Sequence, residues 1–125
     1  MENDAEICPC VVIGGGGDVT MKVASTLAYG AKLIPATFTT RGKYMNDNLL
    51  KHDTTSNNIV RGSIIIGEGA YIGSGAVICV SEKHPHITIG NFAVVGALTY
   101  IDKDVPAHTI IHGRQTMITK SWVQG

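Results

Sequence analysis

Residues 64–78 read IIIGEGAYIGSGAVI, and residues 87–106 read ITIGNFAVVGALTYIDKDVP. Ile66, Ile72 and Ile78 stand six apart in the first stretch, and Ile89, Val95 and Ile101 stand six apart in the second. Residues 79–88 displace the second series by five extra positions. Toward the N-terminus Ile7 and Ile13 are six apart, as are Met21, Leu27 and Leu33, with two extra residues at the join around Gly14-Gly15-Gly16-Gly17. These are eleven hexads with an aliphatic lead. A period of six precesses around a 3.6-residue turn, so a helix would spread the leads over every face. An ordinary strand, with a period of two and five or six residues, does not produce it either. Hexads fit a solenoid in which six residues make one short strand and one corner, and three sides close a coil. Eleven hexads predict an all-β, parallel β-helix of nearly four coils.

Two further columns follow the leads. The next residue is Gly at 14, 67, 73, 90 and 96, far above the usual glycine frequency of about 7%. The residue four places on is small or β-branched at Val11, Gly17, Ser25, Ala31, Thr37, Ala70, Ala76, Ala93, Thr99 and Val105, with Glu82 the exception. The glycine column is expected to supply turn conformations that a Cβ forbids, and the small column to fit beside a corner. Coils that pair through their backbones leave an edge at each end, and the non-repeating tail, about 106–125, is the expected C-terminal cap. Between Leu33 and Ile64 the period lapses. The extruded loop, about 38–62, carries Arg41, Lys43, Lys51 and Arg61 among asparagines. Loops of that length are usually functional, so it is read either as a surface excursion or as a reach toward a neighbouring subunit or a substrate.

The chain of 125 residues is read as a single domain spanning 1–125. Ten basic and ten acidic residues cancel, with no block of one sign, which removes the electrostatic case for nucleic acid or an anionic membrane. Only 16% of residues are charged, against about 25% in ordinary domains, so more buried surface is expected than one small monomer owns. No apolar run is long enough to span a bilayer, and no signal-peptide pattern stands at the start, so a cytoplasmic location is expected. Cys8, Cys10 and Cys79 are odd in number and lack the two-residue spacing of zinc or redox sites, which favours structural thiols.

The two quoted stretches resemble the left-handed β-helix, or hexapeptide-repeat, acyltransferases. Within that superfamily the chain is most similar to N-acetyltransferases of nucleotide-linked amino sugars, through Glu2-Asn3-Asp4, Ala36-Thr37-Phe38-Thr39, Val60-Arg61-Gly62 and Trp122. Such relatives begin with further coils, so the chain looks like their C-terminal two-thirds. The resemblance implies a homotrimer, acetyl-CoA as acyl donor in the groove between neighbouring β-helices, and the amine of a nucleotide-diphosphate amino sugar as acceptor. It places Asn3, Thr37, Phe38, Thr39 and Arg41 at the sugar, and Gly96, Ala97, Lys103, Arg114 and Lys120 at CoA. Catalysis is expected through positioning and stabilisation of the tetrahedral oxyanion.

The chain also departs from its relatives. O-acetyltransferases of the superfamily carry a catalytic histidine in the segment matching 36–40, and none stands there. His52 in the loop is therefore the candidate catalytic base, or a solvated loop residue. The tail reads His112-Gly113-Arg114-Gln115 where relatives carry Gly-Asn-Pro-Ala. His84, His86, His108 and His112 invite comparison with zinc-binding carbonic anhydrases of the same fold, but the spacing is wrong for that pair and no metal is expected. Two alternatives stay open: a non-catalytic trimeric module or degenerate acyltransferase, and a sugar O-acetyltransferase using His52.

Overall fold

The computed structural model describes residues 1, 3–38 and 59–113. Among them are fourteen strands and no helix, so no helix is present that could cross a membrane. Each described strand contributes two to four residues and then turns.

Three parallel sheets form the three sides of a prism. The first side stacks β1 (Glu6–Ile7), β4 (Thr26–Leu27), β9 (Tyr71–Ile72), β12 (Val94–Val95) and β14 (Ile110–Ile111). The second stacks β2 (Val12–Ile13), β5 (Lys32–Ile34), β10 (Val77–Cys79) and β13 (Tyr100–Ile101). The third stacks β3 (Asp18–Met21), β8 (Ser63–Ile66) and β11 (His86–Ile89), and an isolated bridge adds Val105 beside Ile89. The remaining pair, β6 (Ala36–Phe38) and β7 (Ile59–Arg61), is antiparallel and leaves the prism as a ribbon.

Every aliphatic lead pairs with a lead. Ile7, Leu27, Ile72 and Val95 are in register on the first side. Ile13, Leu33, Ile78 and Ile101 are in register on the second, and Met21, Ile66 and Ile89 on the third. Leu27, Leu33, Ile66, Ile72, Ile78, Ile89 and Val95 are fully buried. Each such side chain stabilises the fold by about 1.5–3 kcal/mol through removal from water. The small column closes the interior, with Ala31, Ala70, Ala76 and Ala93 buried. Two of its polar members, Ser25 and Thr99, are buried with their hydroxyls donating to the carbonyls of Lys22 and Ala97. Ile7 and Ile13 are 42% exposed, because no described coil lies beneath them.

The corners revise the expected role of glycine. Left-handed φ values stack at two corners, three residues after each lead. Asp4, Ala24, Gly69, Phe92 and His108 form one column, and Cys10, Gly30, Gly75 and Leu98 the other. Six of these nine are not glycine. The glycines that directly follow a lead have no positive φ, and Gly67, Gly73, Gly90 and Gly96 are required by crowding instead: a Cβ on Gly73 would lie 2.6 Å from Ala97 N and 2.8 Å from Val95 O.

The third corner behaves differently. Steps from first to second side, and from third to first, are all six residues, whereas steps from second to third are not. Ile13 to Met21 is eight, Leu33 to Ile66 is thirty-three, Ile78 to Ile89 is eleven, and Ile101 to Val105 is four. The last step explains a difference at the C-terminal end. Val105, counted as the small residue of the preceding hexad, occupies a lead position and restarts the period, so Ile111 stacks on Val95. The repeat thus runs past Pro106 to Ile111, completing four coils and the first side of a fifth.

Candidate functional site

The variable corner forms one edge of the prism, and backbone bonds pin its unequal loops together. Asp18 N donates to Gly62 O at 3.1 Å, Gly62 N to Pro35 O at 2.8 Å, and Ser63 N to Pro85 O at 2.9 Å. Gly17 and Gly62 sit where those loops cross: a Cβ on Gly17 would lie 2.5 Å from both Gly62 O and Pro35 O, and one on Gly62 would run into the Pro85 carbonyl. The ribbon springs from this crossing, with Thr37 paired to Val60 and Ala36 to Arg61. Arg61 Nη1 reaches back to Gly16 O at 3.4 Å, which fixes a guanidinium at the ribbon's root.

The polar side chains of the edge come mainly from the third side. Three residues before each lead, Asp18, Ser63 and His86 fall in one outward column. Ser63 Oγ and His86 Nδ1 are 2.8 Å apart. Above them the three-residue corner Asp102-Lys103-Asp104 is tied down by Asp104, whose Oδ1 accepts from Thr88 N at 2.8 Å. In the insertion, Ser81 N donates to His84 O, and Ser81 Oγ accepts from His84 N, both at 3.1 Å. A depression of about 230 Å³ opens beside Lys103, between Tyr100 and His112. On its wall, burial, then the Cys79 thiol and the Asp102 carboxylate, push the Tyr100 phenol up.

The residues proposed from sequence are divided among the corners. Thr37 is partly buried in β6, and Phe38 ends that strand. Lys103 is exposed on the same edge, two coils further along, or about 10 Å at the usual strand spacing. Gly96 and Ala97 lie at the first-to-second corner, where a Cβ on Gly96 would meet His112 Cβ at 2.7 Å. Asn3 lies at the third-to-first corner, with its carbonyl accepting from Ala24 N at 3.1 Å. Thr39, Arg41, His52, Arg114 and Lys120 lie outside the described residues. Of the four histidines weighed for zinc, His84 and His86 share the variable edge, His108 stacks on Phe92 at 5.4 Å on a second corner, and His112 is on the third. Among the described residues no three metal-ligating side chains converge.

The hexad pattern alone does not bring Asp18, Ser63 and His86 together as site residues. The signal was present: each stands three before a lead on the same side, and it emerges once the five extra residues before Ile89 are set aside.

No protein-family model matches the chain. Among solved structures it is similar in fold to a point mutant of AntD, an N-acyltransferase from Bacillus cereus, in complex with dTDP and coenzyme A. The TM-score is 0.71 at 18% identity, over 90% of this chain and 57% of that one. It is similar to a hexapeptide-repeat-containing acetyltransferase of Vibrio cholerae, with TM-score 0.52 at 14% identity, over 88% of this chain and 69% of that one. AntD in complex with dTDP and 3-hydroxybutyryl-CoA gives 0.50 at 19% identity, over 87% and 68%. The chain therefore spans 57% of the length of the first of these structures. The fold is the all-β, left-handed parallel β-helix, whose crossovers have the hand opposite to the general preference.

Proposed function

We propose that this chain carries the acyl-transfer edge of an acyl-CoA-dependent acyltransferase, with acetyl-CoA as donor and the amine of a nucleotide-diphosphate amino sugar as acceptor. One observation carries the reading: all four departures from the six-residue step fall on one edge, in a fold shared with an N-acyltransferase that binds dTDP and CoA. In stacked-repeat proteins such insertions gather on the binding face, since the other corners must keep register.

On this reading Thr37, Phe38, Thr39 and Arg41 meet the sugar nucleotide at the ribbon, and Asn3, which stands on another corner, meets it from a neighbouring copy. Lys103, with Arg114 and Lys120, supplies cationic contacts to CoA phosphates, and Gly96 and Ala97 offer a corner without bulk for its pantetheine arm. The exposed edge of one chain is open, so a neighbouring copy in a homotrimer is its second wall. The neutral amine attacks the thioester carbon, N–H donors hold the developing oxyanion, and the thiolate leaves. Proton removal falls to a histidine near the ribbon, with His52 the candidate from sequence.

The test is thiol release from acetyl-CoA, at about pH 7.5 where a sugar amine is partly neutral. The panel comprises UDP- and dTDP-linked 3-amino and 4-amino sugars, with sugars lacking the amine as controls. Release that requires the amine is expected. No release, together with no acetyl-CoA binding by calorimetry, would favour a non-catalytic trimeric module.

A further inference from the structure

Of the described imidazoles, His86 alone is held by a neighbouring hydroxyl on the variable edge. The insertion that precedes it delivers it there: β11 begins at His86 and pairs it with Ser63, the residue that follows the ribbon's return strand and Gly62. Ser63 Oγ lies 2.8 Å from His86 Nδ1. Nε2 makes no bond within the described residues, and the ring is exposed. His84 sits two residues earlier in a backbone turn closed by Ser81, and among the described residues no side chain bonds its ring. His108 is stacked on Phe92 at another corner.

We infer that His86, oriented by Ser63, is the group that takes the proton from the acceptor nucleophile in this chain. The inference rests on the acyl-transfer reading above. When Nδ1–H donates to the Ser63 hydroxyl oxygen, Nε2 keeps its lone pair for a proton from outside. Ser63 then has its own proton to give, and Asp18 holds the next position down the same column. His86 is one coil from the ribbon's root below and one coil from Lys103 above, so a nucleophile seated between acceptor and donor contacts passes its edge.

The step balances without another reagent. The amine nitrogen bonds to the thioester carbon and the carbonyl becomes an oxyanion. Nε2 of His86 accepts the proton that the nitrogen sheds. The oxyanion collapses, the C–S bond breaks, and the thiolate takes that proton to leave as free CoA thiol. A hydroxyl acceptor would follow the same path and would depend on the base more heavily, since an alcohol is not nucleophilic until its proton is being removed.

The experiment uses the full chain and the thiol-release assay with its best acceptor. His86→Gln is expected to lower kcat by about 100-fold or more, the usual range for a lost acid–base group, with the KM for acetyl-CoA within about threefold. His86→Ala is expected to regain activity with added imidazole, in a saturable way. Ser63→Ala is expected to lose about tenfold in kcat, and Ser63→Thr, which restores the hydroxyl, to stay near the parent. His84→Gln is the control, expected to match the parent. Circular dichroism and melting confirm that each variant is folded.

A parent that turns over while His86→Gln stays within about twofold of it overturns the inference and leaves the acyltransferase reading intact. Loss in His86→Ala that imidazole does not restore, with Ser63→Thr as impaired as Ser63→Ala, also overturns it, because packing alone is then at stake. A parent that releases no thiol with any acceptor overturns both.

Discussion

Gly73, directly after a lead at one corner, and Ala24, three residues after a lead at another, are expected to respond in opposite ways to exchange of hydrogen for methyl. A methyl on Gly73 meets only backbone, from Val95 O at 2.8 Å to Ala97 N at 2.6 Å, so the coil above must lift. Gly73→Ala is expected to lose about 1–3 kcal/mol in denaturant melts, as overpacked sites do. Ala24 is exposed with φ of 60°, where a Cβ costs about 1–2 kcal/mol. Glycine there loses about 0.4–1 kcal/mol through the unfolded chain, so Ala24→Gly is expected to gain up to about 1 kcal/mol in the same melts. The sequence displayed the glycine column but not its cause, because crowding from the coil above and a left-handed backbone both select glycine. Only geometry separates Gly73 from Gly75, whose φ is 71°. In the interior, Ile72 is fully buried in a column of leads. Ile72→Asp places an unpaired carboxylate there and is expected to abolish cooperative unfolding by circular dichroism.

The strands were legible where the step is six and illegible where it is not. Leads from Ile66 to Ile78 and from Ile89 to Ile101 fell on their observed partners, since a fixed step leaves one way to stack. Two boundaries moved. The long loop begins as an antiparallel ribbon whose first strand, Ala36–Phe38, starts two residues inside the preceding hexad, while its return strand, Ile59–Arg61, lies within the expected 38–62. The tail hides one more side, because a four-residue step to Val105 broke the count just before Ile111. The column Asp18, Ser63, His86 was hidden for the same reason, since eight-, thirty-three- and eleven-residue steps separate its members from the regular pattern. The ribbon offers a direct trial. Replacing residues 39–58 by Asn-Gly closes it with a two-residue hairpin turn. The shortened loop is expected to leave the melting temperature equal or higher, since each halving of a loop returns about 0.6 kcal/mol of closure entropy. Thiol release is expected to fall to background, because the acceptor contacts on the arm go with it.

Across the prism, the large exposed apolar residues Tyr29, Tyr71, Phe92, Leu98, Tyr100 and Ile110 lie on the first and second sides or the invariant corners beside them. None of these six lies on the third side or the variable edge. Light scattering is expected to give about three times the 13.2 kDa of one chain, with those residues supplying the buried area that low charge implies. A monomeric mass would leave the open edge without its second wall. The edge has a consequence for how such a protein changes over time. Most enzymes that remodel a binding site risk the core that supports it, and stability is spent on each new function. Here the core reads only two corners. Residues added or lost at the third leave every lead above its partner, as steps of four, eight, eleven and thirty-three already do. Specificity can therefore drift by insertion and deletion while the scaffold's stability stays fixed, and a foreign peptide grafted between Val80 and Pro85 should find a host indifferent to its length.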